Sequence, residues 1–155
     1  MTNAIEFEGQ QVTLDFAGKT ITAASSSAIV AKNGAEVTIK NGNITAYEAV
    51  VRAIGGEVII ENGTFVSTGT ALDSPATYRY SVDCREGGKI TINGGEFKSN
   101  NGMLNVGSEI VINGGKFENI VEKSMTRHFA YVSAPLTING GEFLGKANGA
   151  AGGCF

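Results

Sequence analysis

The sequence predicts an all-β fold, a right-handed parallel β-helix of about six coils with three short strands in each coil. Two observations lead to this prediction. One short sequence motif recurs along the chain: an aliphatic residue, any residue, Ile, an Asn/Gly turn, and then Phe or Ile. In addition, the segments alternate and are rich in β-branched residues, and none has a helical period. Such units must stack because one unit cannot bury its apolar face alone.

The repeat occurs in five copies and one weaker opening version. The five central residues are Ile39, Ile60, Ile92, Ile112 and Ile138, and the Phe or Ile that closes each copy lies five residues later. The opening version, Leu14-Asp-Phe16-Ala-Gly-Lys-Thr-Ile21, places Phe16 at the central position. The resulting intervals of 23, 21, 32, 20 and 26 residues suit a coil of three strands and three turns.

Each coil is divided into three predicted strands. The first is variable and covers 28–32, 49–54, 80–84, 103–106 and 129–132. The second carries Val/Ile-x-Ile, whose period of two sends both aliphatic side chains inward. An Asn-Gly or Asn-Gly-Gly turn follows, because Gly and Asn adopt positive φ at least cost. The third strand opens with an inward Phe.

Stacked coils align equivalent residues about 4.8 Å apart, so the repeat predicts ladders. One ladder contains the central Ile residues, and a second contains Phe65, Phe97, Phe117 and Phe143. Asn93, Asn113 and Asn139 are expected to stack at one corner and to exchange side-chain amide hydrogen bonds. Asn41 and Asn62 come one position later, so the amide ladder should shift there.

The 155 residues are predicted to form one domain. Residues 1–10 would cap the first coil with Ile5 and Phe7, 11–144 would form the coils, and 145–155 would form a tail or cap. The net charge of −3 and the absence of a Lys/Arg cluster argue against nucleic acid as a partner. No apolar stretch approaches a membrane span, and no secretory signal is evident. Of the two cysteines, Cys84 alternates with Val82 and is expected to point inward.

The opening Val-Thr-Leu-Asp-Phe-Ala-Gly-Lys-Thr-Ile-Thr and the Thr-Ile-Asn-Gly-Gly-Glu-Phe repeats resemble right-handed parallel β-helix proteins of the pectate-lyase-like superfamily. They are most similar to the small versions in bacterial surface proteins and in bacteriophage virion proteins, such as head-fibre and tailspike modules. The resemblance covers 11–144. It implies a structural or recognition component, most of all a virion protein that decorates a capsid or fibre. The superfamily also includes lyases, hydrolases, adhesins and spacers.

Two excursions exceed the coil length and hold most of the candidate binding residues. They fall within 67–80 and 118–128 and should project from the same corner. With the adjoining strands they supply Asp73, Tyr78, Arg79, Tyr80, Asp83, Arg127, His128 and Tyr131. Loops on a rigid scaffold often carry function, and aromatic residues with Arg favour recognition. The alternative is that the excursions are solvent-exposed loops that cover one side of the solenoid and bind nothing.

Catalytic templates fit the sequence poorly. A glycosidase needs two carboxylates about 5 to 10 Å apart. Asp83 is the one aspartate on a variable strand, and the neighbouring coils offer Arg52 and Asn105 instead of a second acid. The single His128 is insufficient for a metal site, and no carboxylate cluster suits Ca²⁺. We therefore expect no cofactor, no metal and no enzymatic activity.

The expected partners are copies of the same chain, for example as a trimer, and a capsid or fibre protein on the virion surface. Two other functions stay open at this point. The first is a glycan-binding module on a bacterial surface or in the extracellular space. The second is a carbohydrate-active enzyme whose site is shared between subunits.

Overall fold

A computed structural model describes residues 3–69, 80–120 and 129–145. In these ranges eighteen β-strands form three parallel sheets of six strands each, and there is no helix. The chain visits the three sheets in turn and returns to the first, which gives a β-solenoid of about five turns with three strands per coil. The predicted fold class is confirmed. The right-handed sense of the winding stays a prediction.

The strands of each sheet follow one another along the solenoid axis. Sheet 1 contains β1 (Ile5–Glu8), β4 (Ile29–Lys32), β7 (Val51–Ile54), β10 (Tyr80–Arg85), β13 (Gly102–Val106) and β16 (Ala130–Val132). Sheet 2 contains β2 (Gln11–Asp15), β5 (Glu36–Lys40), β8 (Glu57–Ile60), β11 (Lys89–Ile92), β14 (Glu109–Ile112) and β17 (Leu136–Ile138). Sheet 3 contains β3 (Thr20–Ala23), β6 (Gly42–Ala46), β9 (Gly63–Ser67), β12 (Glu96–Ser99), β15 (Lys116–Asn119) and β18 (Glu142–Leu144).

The core is the space enclosed by the three sheets, and it is built from columns of equivalent residues. Side chains alternate between the interior and the outer surface because successive residues of a strand point to opposite faces. In sheet 2 the central Ile residues pair in register from β5 to β17, as predicted. In sheet 1, Cys84 occupies an interior column between Ala53 and Val106 and is fully buried, which confirms its inward position.

The predicted phenylalanine ladder is present in sheet 3. The ring centroids of Phe65, Phe97, Phe117 and Phe143 are separated by 4.6, 4.8 and 4.9 Å in succession. The rings are nearly parallel, with interplanar angles of 13°, 9° and 5°. The centroid spacing equals the strand spacing of a sheet, so the backbone register imposes the stacked geometry.

The amide ladder at the corner after sheet 2 is also confirmed. Nδ2 of Asn139 donates to Oδ1 of Asn113 at 2.7 Å, and Nδ2 of Asn113 donates to Oδ1 of Asn93 at 2.8 Å. Towards the N-terminus the pattern shifts, because the backbone N–H of Asn41 donates to Oδ1 of Asn62 at 2.6 Å. Each amide in the regular part therefore donates towards the preceding coil.

The opening coil corrects one prediction. Leu14, and not Phe16, pairs with Ile39, while Ile21 pairs with Ile44. Val12 and Leu14 fit the interior columns of sheet 2, so two additional residues are accommodated at the following corner. Ala17 there has a φ of 49°. The Phe16 ring covers Gly42, where a Cβ atom would lie 2.8 Å from the ring.

Residues Ile5–Glu8 form the first strand of sheet 1 and pair in parallel with β4. Phe7 packs against the core and is partly buried. This segment therefore extends the solenoid by one strand at its N-terminal end.

Candidate functional site

The candidate residues that the structure places lie on or beside sheet 1. Asp83 and Tyr131 lie on the outer face, and Asn105 pairs with both of them from the intervening strand. Tyr80 begins β10 opposite Gly102, where a Cβ atom would overlap the Tyr80 ring. The remaining predicted residues, Asp73, Tyr78, Arg79, Arg127 and His128, lie outside the described residues.

Asp83 is the centre of a dense polar network on this face. Its Oδ1 accepts hydrogen bonds from Nε of Arg85 at 3.0 Å and from Nδ2 of Asn105 at 2.7 Å. Its Oδ2 accepts from Nε of Arg52 at 2.7 Å and from Nη2 of Arg85. The carboxylate is only 3% exposed. The register of the coils predicts Arg52 and Asn105 beside Asp83, and both are there.

The four donors determine what Asp83 can do chemically. A carboxylate has about four lone-pair sites, so four hydrogen bonds occupy its acceptor capacity. A general acid or base needs an oxygen that can reach a substrate proton. Asp83 instead holds two guanidinium groups in fixed positions, and the side-chain hydrogen bond to Asp83 is the main cause that raises the pKa of Arg85.

Two residues that the sequence analysis missed extend the network. Oε2 of Glu48 lies 3.7 Å from Nη2 of Arg52, and Oγ of Ser27 donates to the same carboxylate oxygen at 3.3 Å. The two arginines and the two carboxylates have equal and opposite charges. The network is therefore polar but electrically neutral. The coil interval of 21 residues is the signal that could have placed Ser27 beside Glu48.

A shallow cleft of about 580 Å³ adjoins the network on the N-terminal side. It is lined by Asn3, Ala4, Glu6, Ser26, Ser27, Val30, Glu48 and Arg52. Glu6 forms an ion pair with Lys32 at 2.7 Å, so its carboxylate is also compensated. The cleft and the network form one continuous polar surface on sheet 1.

Nothing matches this chain among protein-family models, curated proteins or solved structures. Across the ranges that the structure describes, no three His, Cys, Asp or Glu side chains are grouped so that they could hold a metal ion. The same ranges contain no helix that is long and apolar enough to cross a membrane.

Proposed function

We propose that the chain is a non-enzymatic structural and recognition module, a bacteriophage virion component that decorates a capsid or forms part of a fibre. The observation that supports the structural role most directly is the continuous interior, in which the coils from β4 to β15 are packed in register with fully buried columns. Such an interior is close-packed and has low compressibility. The virion assignment rests on the resemblance of the repeats to β-helix virion proteins of the pectate-lyase-like superfamily.

The virion assignment is tested with purified phage particles. Mass spectrometry should detect this chain in particles purified by density gradient, in a fixed ratio to the major capsid protein. Immunogold labelling should then place it on the particle surface. Recovery of the chain only in the cell-envelope fraction or in the medium would contradict the virion assignment and favour a bacterial surface module.

The saturated carboxylate of Asp83 is the reason to prefer a non-enzymatic role over a carbohydrate-active enzyme. The test is a screen of polysaccharides for cleavage, with the wild type and the Asp83→Asn variant measured side by side. We expect no cleavage by either protein. Cleavage by the wild type that the variant loses would contradict the proposal and would assign Asp83 a role in catalysis.

Recognition of a neutral glycan is a second candidate function, and the outer row of sheet 1 favours it. Arg52, Asp83, Asn105 and Tyr131 lie on four successive strands, so their positions repeat about every 4.8 Å along the axis. Tyr131 is 53% exposed and offers a ring on which a sugar can stack. Because the network carries no net charge, its remaining donors suit hydroxyl groups better than an acidic group.

The glycan function is tested by array binding and by titration of any neutral oligosaccharide that binds. Tyr131→Ala should weaken binding by about fivefold, since it removes a stacking surface worth about 1 kcal/mol. Tyr131→Phe keeps the ring and should bind like the wild type. Equal binding by all three proteins would exclude this surface as the glycan site.

A further inference from the structure

The two ends of the solenoid differ in how they are protected. In the described part of the chain, the large hydrophobic side chains that are clearly exposed all lie on the last coil: Tyr131, Val132, Ile138 and Leu144. Val132 and Ile138 belong to interior columns, yet they are 47% and 42% exposed. Within the described residues, the apolar interior is therefore exposed at this end at Val132 and Ile138.

Charges show the same difference between the ends. The first coil carries Glu6, Glu8, Asp15 and Lys19, whereas Glu142 is the one charged residue between 129 and 145. Charged side chains are a common protection of an unpaired sheet edge. The last coil has no charged residue on β16 or β17 and has one, Glu142, on β18, although its sequence is a regular copy of the repeat. Such an edge can pair with a further coil.

The first coil of a second copy fits this edge column by column. If the register of the coils continues by one step, Phe7 lies on Val132 and Leu14 lies on Ile138. These first-coil side chains are partly exposed. These interior contacts would be apolar on apolar, and the strands would pair in parallel as they do between coils of one chain. We propose that copies of this chain stack head to tail, the first coil of one copy on the last coil of the next.

Asp15 would keep this association weak. Asp15 occupies the position of the corner amides, since it pairs with Lys40 one residue after the interior Leu14. In the ladder each amide donates to the amide of the preceding coil. Continuing the ladder into a second copy would therefore require a donor from its first coil to Oδ1 of Asn139. An ionised carboxylate has no proton to donate. Oδ1 of Asp15 already accepts from the backbone N–H of Ala17 at 2.9 Å and from Nδ2 of Asn41 at 3.1 Å.

This contact does not close on itself, so it produces linear chains of copies and not a dimer. It goes beyond the proposed function and does not depend on the virion assignment, because it concerns the purified chain alone. Sedimentation velocity from about 10 μM to about 1 mM should show a mass that rises with concentration past that of a dimer. A wild type and an Asp15→Asn variant that both stay monomeric over this range would overturn the proposal.

The last coil is tested with a pair of lysine variants on β17. Ile138→Lys places a charge in an interior column and should abolish association. Thr137→Lys adds the same charge to the same strand on its outer face and should associate like the wild type. Thermal unfolding of both variants shows whether the coil itself stays folded. Equal effects of the two variants on association would contradict stacking through the interior columns.

The role of Asp15 is tested with a pair of neutralising variants on the first coil. Asp15→Asn keeps both acceptor interactions and adds the missing donor, so it should strengthen association by about tenfold. Glu8→Gln removes a charge at the same end without adding a donor at the corner, and should leave the association constant within about twofold of the wild type. Equal strengthening by both variants would show that general repulsion limits stacking, and the part of the proposal that concerns Asp15 would fail.

Amide hydrogen exchange shows whether the last coil is covered by a second copy or by a segment of the same chain. The amides of β17 that point away from β14 should be protected only at concentrations where copies associate. Strong protection in dilute monomer would show that a segment of the same chain covers the last coil, and this result would overturn the proposal.

Discussion

Asp83 is buried on the outer face of a sheet, where a carboxylate is usually solvated. Its loss of hydration is offset by four hydrogen bonds, three of them from guanidinium groups. The arginines depend on it in turn, since Arg52 and Arg85 both direct Nε to this side chain. A change at Asp83 therefore affects more than one residue.

We expect Asp83→Asn to lower the free energy of unfolding by about 2 kcal/mol, as measured by urea denaturation. The neutral amide leaves Arg85 without its carboxylate and leaves Arg52 with only Glu48 at 3.7 Å, although both guanidinium groups are partly solvated. Arg85→Gln is the control: this side chain is 42% exposed, so its loss should cost only about 0.5 kcal/mol. An Asp83→Asn variant as stable as the wild type would mean that the network does not contribute to stability.

Cys84 leads to a prediction about alkaline pH. Burial, and then the charges of Asp83 and Glu109, raise the pKa of its thiol from 9.0 to about 12. The folded chain thus retains this proton over a range in which the unfolded chain loses it. The stability that this difference contributes is complete below about pH 9 and is lost as the pH rises towards 12.

The measurement uses a Cys154→Ser variant, in which Cys84 is the one remaining thiol. Its free energy of unfolding should fall between pH 9 and pH 11 more steeply than that of the same variant with Cys84→Ala. A thiol reagent at pH 8 should modify Cys84 only after denaturant unfolds the chain. Rapid stoichiometric modification of the folded variant would contradict the burial of this thiol.

At the scale of the elements, the phenylalanine stack links consecutive coils of sheet 3. Phe97 is fully buried between Phe65 and Phe117, whereas Phe143 belongs to the last described coil and is partly exposed. We expect Phe97→Ala to destabilise the chain by about 4 kcal/mol and Phe143→Ala by about half as much. Chemical denaturation of both variants tests this. Equal losses would mean that the last coil is as well packed as the interior.

The Asn-Gly-Gly corner requires its two glycines for different reasons. Gly95 has a φ of 111°, which L-residues rarely adopt, whereas Gly94 needs no positive φ. At Gly94 a Cβ atom would lie 3.0 Å from the carbonyl oxygen of Glu61 on the preceding coil. The first glycine therefore permits close stacking of the coils, and the second permits the turn.

This distinction gives a prediction with a matched control. Gly95→Ala combines a strained φ with a Cβ atom 3.1 Å from the Gly63 carbonyl oxygen, so it should cost about 2 to 3 kcal/mol. Gly87 also has a positive φ, of 77°, but a Cβ atom there meets nothing within 4 Å. Gly87→Ala should therefore cost about 1 kcal/mol in denaturation experiments. A larger loss at Gly87 than at Gly95 would contradict this account of the corner.

For the whole molecule, stability should vary along the axis, because each coil contacts only its neighbours. In dilute monomer we expect the backbone amides of β17 to exchange at least tenfold faster than those of β11, which lies between two complete coils. Hydrogen exchange followed by mass spectrometry tests this. Uniform protection from β5 to β17 would indicate that the solenoid opens only as a single cooperative unit.

The sequence predicts what is periodic in this molecule. The interior columns, the ring stack and the amide ladder follow from residues that recur at the coil interval. The prediction for Phe16 is wrong because the spacing from Phe16 to Ile21 imitates the repeat, whereas Leu14 occupies the interior column. The register placed Arg52 and Asn105 beside Asp83. The register does not predict that the Arg85 side chain donates to Asp83, two residues earlier on the same strand, because side-chain rotamers do not follow the coil period.

The segment 93–112 is one complete coil of 20 residues with no excursion, because Ile92, which precedes it, and Ile112, which ends it, are paired positions on the Ile ladder. A tandem duplication of this segment would insert a coil that presents the same contacts to both of its neighbours. The rod would lengthen by about 4.8 Å for each inserted copy, with the surface on either side unchanged. The length of this molecule can therefore be changed in fixed steps of one coil, by evolution or by engineering.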